Sequence, residues 1–159
     1  MYNHAPADYV CPMCAFVSGH PEPGWSTHED IVLEDDQVLA LISSRWWPRN
    51  LGHVILVPKQ HFENIFDLPD ELGTPIHAAA KRIALALKAT YNCNGVSTRQ
   101  HNEPAGNQDL WHYHLHIFPR YTGDELYLTP RSEIRETAPE ERREYAERLR
   151  NFLKQQSSP

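Results

Sequence analysis

The sequence predicts an α+β fold: an antiparallel sheet of about five strands, one main helix, and a second helix near the C-terminus. Three observations carry this. Short β-branched or alternating apolar segments are separated by turn residues. A single long helical period falls between two groups of them, and a second helix follows, an order that suits an antiparallel sheet with helices set to one side. The 159 residues match one domain, large enough to bury a core without disulfides, and no internal repeat is present.

The elements follow in order. Residues 1–30 are rich in Pro, Gly and His and read as an arm, partly pinned by Cys11 and Cys14. Ile31 to Glu34 forms a strand ended by Glu-Asp-Asp, and Gln37 to Ile42 is a short apolar run fit for a buried strand. Ser43 to Asn50 breaks it. Gly52 to Val57 is the clearest strand, with Pro58 as its stop. Asp67 can cap a helical region, with Pro69 in its first turn. Thr74-Pro75 repeats that signal, and Leu72, Ile76, Ala80, Ile83 and Leu87 make one helix face that ends at Asn92-Cys-Asn-Gly95. Val96 to His101 and His112 to Phe118 are the last two strands, the latter stopped by Pro119. Thr137-Ala-Pro-Glu140 reads as a capping box. It opens a helix with Tyr145, Leu149, Phe152 and Leu153 on one stripe and a Glu144–Arg148 pair on its wet side.

Composition excludes several classes. Fifteen Lys plus Arg against 21 Asp plus Glu, a formal charge of −6, is the wrong balance for gripping a nucleic-acid backbone. No uninterrupted apolar run exceeds five residues, far from the ~20 that span a bilayer, and the N-terminus has no signal-peptide pattern. Three Cys do not make a disulfide framework. The expected setting is soluble and cytoplasmic. Ten His in this chain direct attention to acid–base or metal chemistry.

That chemistry is concentrated in Trp111-His-Tyr-His-Leu-His-Ile-Phe118. On a strand, His112, His114 and His116 share one face at ~6.6 Å spacing, and Tyr113, Leu115 and Ile117 turn to the core. Such a face is a solvated histidine-rich edge, a three-histidine metal site, or a nucleophilic imidazole flanked by two others. Cys11 and Cys14 have C-x₂-C spacing suited to one zinc ion. A redox pair is disfavoured because no helical pattern follows Cys11 and Pro12 lies between the thiols. Free thiols on a mobile arm are the plain alternative.

His-x-His-x-His with apolar x positions resembles the signature of the histidine-triad (HIT) family. The likeness extends to Gln108, to Asn102, to Gly52-His-Val-Ile-Leu-Val-Pro-Lys-Gln-His61, to Glu34 through Ala40, and to Pro119-Arg120, across about residues 10 to 121. The resemblance implies a HIT-like catalytic domain at 31–121, with the arm at 1–30 and a C-terminal extension of the same domain at 122–159. It implies a nucleotide hydrolase or nucleotidyl transferase acting at the α-phosphate through a covalent nucleotidyl-histidine. Dinucleoside polyphosphates and nucleoside phosphoramidates are the leading substrate classes. Carried over to this chain, His114 is the nucleophile, His116 and Gln108 serve the phosphate or leaving group, and His112 orients His114. Asn102, His53 and Ser43 are the substrate-binding candidates. The zinc-containing members imply a structural site of Cys11, Cys14, His61 and His112, with no cofactor in the chemical step. A homodimer is compatible with the family, and no nucleic-acid or membrane partner is expected.

The chain departs from the family at three places. Ser43 stands where an Asp usually binds the ribose, followed by Arg45, Trp46, Trp47 and Arg49, which could meet a base or phosphates. Asp109 stands where a small hydroxyl residue is common. The region after Arg120 is unexplained by the resemblance and could cover the active-site face or a dimer contact. These differences keep open an alternative: a nucleotide-binding module or sensor with little turnover.

Overall fold

The sheet follows from where apolar alternation and turns fall. In the computed structural model, which describes residues 2–156, five strands lie in the order β1-β2-β4-β6-β5, every neighbour antiparallel. They are β1 (Ile31–Glu34), β2 (Val38–Ile42), β4 (Val54–Pro58), β5 (Gly95–Gln100) and β6 (Leu115–Arg120). Strand β3 (Arg45–Trp46) leaves this sheet and pairs with β7 (Arg135–Glu136). The helices are α1 (Pro12–Val17), α2 (Gly73–Thr90) and α3 (Pro139–Gln156).

Each face of the sheet has its own cover. Val38, Ala40, Ile42, Val54, Leu56 and Ile117 pack against Ile76, Ile83 and Leu87 of α2 and Ala146, Leu149 and Leu153 of α3. On the other face Leu39, Leu41 and Val57 meet Met13 and Phe16 of α1. Alternation sends successive strand residues to opposite covers. The C-terminal helix therefore lies on the face away from the histidines and does not cover them.

Several expected boundaries move. The last strand begins at Leu115, not His112, because Tyr113 N–H is taken by the Phe62 carbonyl (2.6 Å) and the His112 carbonyl by His114 Nδ1 (2.8 Å). It also runs through Pro119, which pairs with Val96 beyond the point where β4 pairing ends at Val54–Ile117. A missing N–H is tolerated there because only one side of the strand is laddered. Pro58 likewise stays inside β4, opposite Val38. Segment 43–50 contains β3 rather than a plain break. The arm is not featureless: Cys11 caps α1, its sulfur accepting Cys14 N–H at 3.4 Å. The reason for setting aside a redox pair, the lack of a helix after Cys11, therefore does not hold.

Helix starts shift too. Pro69, not Asp67, precedes the single turn Asp70–Leu72 that leads into α2. Before α3, the Thr137 hydroxyl donates to the Ser44 carbonyl (2.9 Å), while Glu141 accepts Ala138 N–H (3.1 Å). The reciprocal cap thus moves by one residue and keeps only its acidic half. The Glu144–Arg148 pair is present at 3.7 Å.

Candidate functional site

Two clusters share the end of β6. The first joins the arm to the sheet. Cys11 and Cys14 sit at the start of α1, His61 lies just beyond β4, and His112 lies just before β6; one ligand atom from each falls within 4.8 Å of all the others. Cys11 Sγ is 3.3 Å from His112 Nδ1, and Cys14 Sγ is 3.3 Å from His61 Nδ1 and 3.7 Å from His112 Nδ1. Tetrahedral zinc with bonds of ~2.0–2.3 Å sets its ligand atoms roughly 3.3–3.8 Å apart, so the donors fit that ion. His112 Nε2–H donates to the Pro58 carbonyl (2.9 Å), which fixes the ring and leaves Nδ1 for the metal. Burial and the neighbouring Cys11 push the Cys14 thiol up to about 12, so a cation is needed to hold it ionised. The cluster fits a C-x₂-C zinc site.

The second cluster lies farther along the same face. Directly opposed residues of antiparallel strands share a face. Arg99 opposes His116, Ser97 opposes Phe118, and Ile55 opposes His116 from the other side. His114 Nδ1–H donates to the His112 carbonyl at 2.8 Å; a carbonyl can only accept, so Nε2 keeps its lone pair. The His114 and His116 rings meet edge-on at 5.0 Å. His116 Nδ1 and His53 Nε2 lie at hydrogen-bond distance, 3.3 Å, one ring donating to the other. His53 is fully buried, stacked on Phe118 at 4.4 Å, with Trp47 edge-on at 5.3 Å.

Burial sets the charge of these rings. It pushes His53 down to about 3, helped by Arg99, and His112 to about 4. It lowers His114, and it lowers His116 well below the usual range together with its neighbours His114, His53 and Arg99. At neutral pH the cluster is a set of uncharged imidazoles, one with a fixed, available lone pair.

The other sequence candidates are placed close by but bonded to protein. Gln108 is buried; its amide nitrogen donates to the carbonyls of Glu63 (2.6 Å) and Leu110 (3.0 Å), and its oxygen accepts Glu103 N–H. Asn102 exchanges hydrogen bonds with Gln100 and accepts Ile65 N–H. The buried Ser43 hydroxyl donates to the Arg45 carbonyl at 3.1 Å. Asp109 points outward to Arg131, at 3.3 Å. Trp46 is core, Trp47 borders His53 and His116, and Arg49 meets Glu125 at 2.5 Å. His4, His20, His28 and His77 are exposed, and Cys93 is a buried packed thiol.

Two residues escaped sequence reasoning. Arg99 lies beside His116, and the His101 ring lies 6.4 Å from it. Alternation already set residues 97, 99 and 101 on one face. Which strand they oppose became visible only with the pairing register.

The sequence matches the HIT domain family over residues 26–123. Among curated relatives, Protein hit of Bacillus subtilis is 36% identical over 90 residues, 57% of this chain and 61% of that protein. Adenosine 5'-monophosphoramidase HNT1 of Saccharomyces cerevisiae is 36% identical over 74 residues, 46% of this chain and 44% of that protein. The chain thus spans less than two thirds of either relative. Among solved structures, a Zn-bound histidine triad family protein from Mycobacterium smegmatis has a TM-score of 0.73 at 29% identity, covering 92% of this chain and 94% of that one. With the family match spanning the sheet, and the triad and the Cys₂His₂ cluster set at the end of one strand, the chain belongs to the HIT domain family.

Proposed function

We propose that the protein is a nucleotide hydrolase or nucleotidyl transferase acting at the α-phosphate, with His114 as nucleophile. The observation that carries this is the His114 ring: buried, uncharged, and anchored through Nδ1 to the His112 carbonyl so that Nε2 offers its lone pair. A neutral imidazole held in one orientation is an activated nucleophile. In this reading Nε2 attacks phosphorus, an Nε2–P bond forms, and the bond to the leaving group breaks, the leaving group taking up a proton from solvent that the attacking water or acceptor returns in the second step. Water or another acceptor then attacks the same phosphorus and restores the imidazole. His116, held by His53, contacts the phosphate, and His53, Asn102 and Ser43 border the substrate.

Cys11, Cys14, His61 and His112 would hold one zinc ion, and that ion would supply folding free energy. We assign it a structural role because four protein ligands complete a closed tetrahedral set. No cofactor is assigned to the chemical step. The unpaired edge of β5 is a surface on which a second copy could add, so a homodimer belongs to the proposal. No helix among the described residues is long and apolar enough to cross a membrane.

A second reading has its own support. Gln108, the candidate to serve the phosphate or leaving group, spends its amide on the Glu63 and Leu110 carbonyls, and Ser43 stands where the family usually carries an Asp, as they would in a nucleotide-binding module with little turnover. One chromatographic assay separates the two. Wild type and His114→Ala are offered diadenosine polyphosphates, a nucleoside phosphoramidate and simple nucleotide esters. Release of nucleoside monophosphate by wild type alone, with a loss of at least ~10³-fold in the variant, is the expected outcome. No release from any substrate would favour the binding module, and full activity in His114→Ala would remove the mechanism.

A further inference from the structure

Among the described residues, Arg99 is a cation with no counter-ion bonded to it beside the histidines. Its guanidinium lies 5.0 Å from the Trp47 ring centre and 5.1 Å from that of Phe118. Its Nε is buried without a hydrogen-bond partner, and among the described residues the side chain makes no hydrogen bond or ion pair. The carboxylate in its neighbourhood, Asp109, is engaged by Arg131. The groups sharing its face are His53 and His116, which burial keeps uncharged, together with His101. A half-desolvated guanidinium costs free energy unless something pairs with it. Its planar fork suits two oxygens of a phosphate or carboxylate.

Position decides which anion. Arg99 opposes His116, one same-face step of ~6.6 Å past His114. The guanidinium then extends over Phe118, a further step from the nucleophile. It therefore stands too far along the face to serve the phosphorus that His114 attacks. We propose that Arg99 is a specificity-determining residue that binds a second phosphate of the substrate, one that does not undergo substitution. Trp47 and Phe118, set nearly perpendicular to each other, form the corner that holds the guanidinium. This inference rests on the proposed nucleotide chemistry and narrows it: substrates carrying more than one phosphate are preferred over those whose single phosphate is the one attacked.

The test compares diadenosine triphosphate with adenosine 5'-phosphoramidate in wild type, Arg99→Gln and Arg99→Lys. The quantity read is the ratio of kcat/KM for the two. Wild type should favour the triphosphate, and Arg99→Gln should lower that ratio by about 10- to 100-fold, the size of a lost charge-assisted bond. Arg99→Lys should restore part of it, since a point charge lacks the fork. An unchanged ratio in Arg99→Gln, or wild type acting on the phosphoramidate alone, overturns the proposal. A parallel calorimetric arm measures ADP and AMP binding to wild type and Arg99→Gln. ADP should bind wild type at least about tenfold more tightly than AMP, and the two should bind the variant alike. If wild type turns over neither substrate, the catalytic reading fails and this arm alone decides. Equal affinities of wild type for ADP and AMP then overturn the role of Arg99.

Discussion

At Gly52 the backbone turns with φ of +69°, and a Cβ there would meet Tyr145 Cδ1 at 2.2 Å. The ring in the way is itself fixed between Trp46 and Tyr91, at centroid distances of 4.9 and 5.2 Å. Both the left-handed conformation and the close approach select glycine. Gly52→Ala should therefore lose about 2–4 kcal/mol, from strain at positive φ plus overpacking, read as a lower urea midpoint with unchanged slope. The sequence marks Gly52 as the start of a strand, and the strand starts two residues later because Gly52 makes the turn. Single residues show the same division elsewhere. The Cys11–Cys14 pair and the His112–His114–His116 run were legible from spacing, whereas His61 entered the metal set only through the family resemblance. Gln108 and Ser43 were legible as types, but their bonds to Glu63 and Arg45 depend on which loops meet in space.

Among elements, α3 is tied to the arm through an ion pair that periodicity could not reveal. Arg142 and Asp30, both 1% exposed, meet at 3.0 Å, and Arg142 also donates to the Trp25 and Thr137 carbonyls. A helical wheel sets Arg142 in line with Ala146, Leu149 and Leu153, but it does not name the acid that meets it there, which the turn at His28–Asp30 supplies. Asp30 also accepts Thr27 N–H at 2.6 Å, so one carboxylate serves both the turn and the helix. Arg142→Ala should cost about 3–5 kcal/mol by leaving Asp30 buried and unpaired. Arg142→Met with Asp30→Leu should recover much of that loss, because the charge is then removed with its partner. Thermal melts of the single and double variants check both statements. A double variant no more stable than Arg142→Ala would show that the hydrogen bonds, not the charge, hold α3. The five strands and both long helices were legible from period and turn residues. The β3–β7 pair was not, since two-residue strands leave no period to read.

On the scale of the whole molecule, the metal cluster draws together segments far apart in sequence. Residues 11–14, 61 and 112 converge, so filling the site closes two long loops at once. Cys11→Ser keeps an oxygen able to cap α1 yet removes a thiolate, and so isolates the loss of the metal from the loss of the cap. Atomic emission on protein purified without chelators should find about one zinc per chain in wild type and much less in Cys11→Ser, with a lower melting temperature in the variant. Zinc-free wild type of unchanged stability would remove the site. The sheet was legible at this scale from its local motifs, and the assembly of the metal donors from three distant segments only through the family resemblance. The position of α3 was not, since nothing in residues 122–156 states which face of the sheet they will cover.

Glu63 extends that convergence beyond the metal donors. Its carboxylate accepts the backbone N–H groups of His4 and Ala5, its carbonyl accepts the Gln108 amide, and it lies two residues after His61. Next to it, Asn64 donates to the Tyr2 carbonyl, and Phe62 accepts Tyr113 N–H. The stretch from 61 to 66 is thus a mechanical hub, through which the chain's first residues, the loop carrying Gln108 and the entry to the histidine strand are joined. A disturbance at any one of them is delivered to the others by hydrogen bonds a single residue apart. The His114 ring, anchored to the His112 carbonyl, thus stands on a strand whose entry is one arm of that linkage.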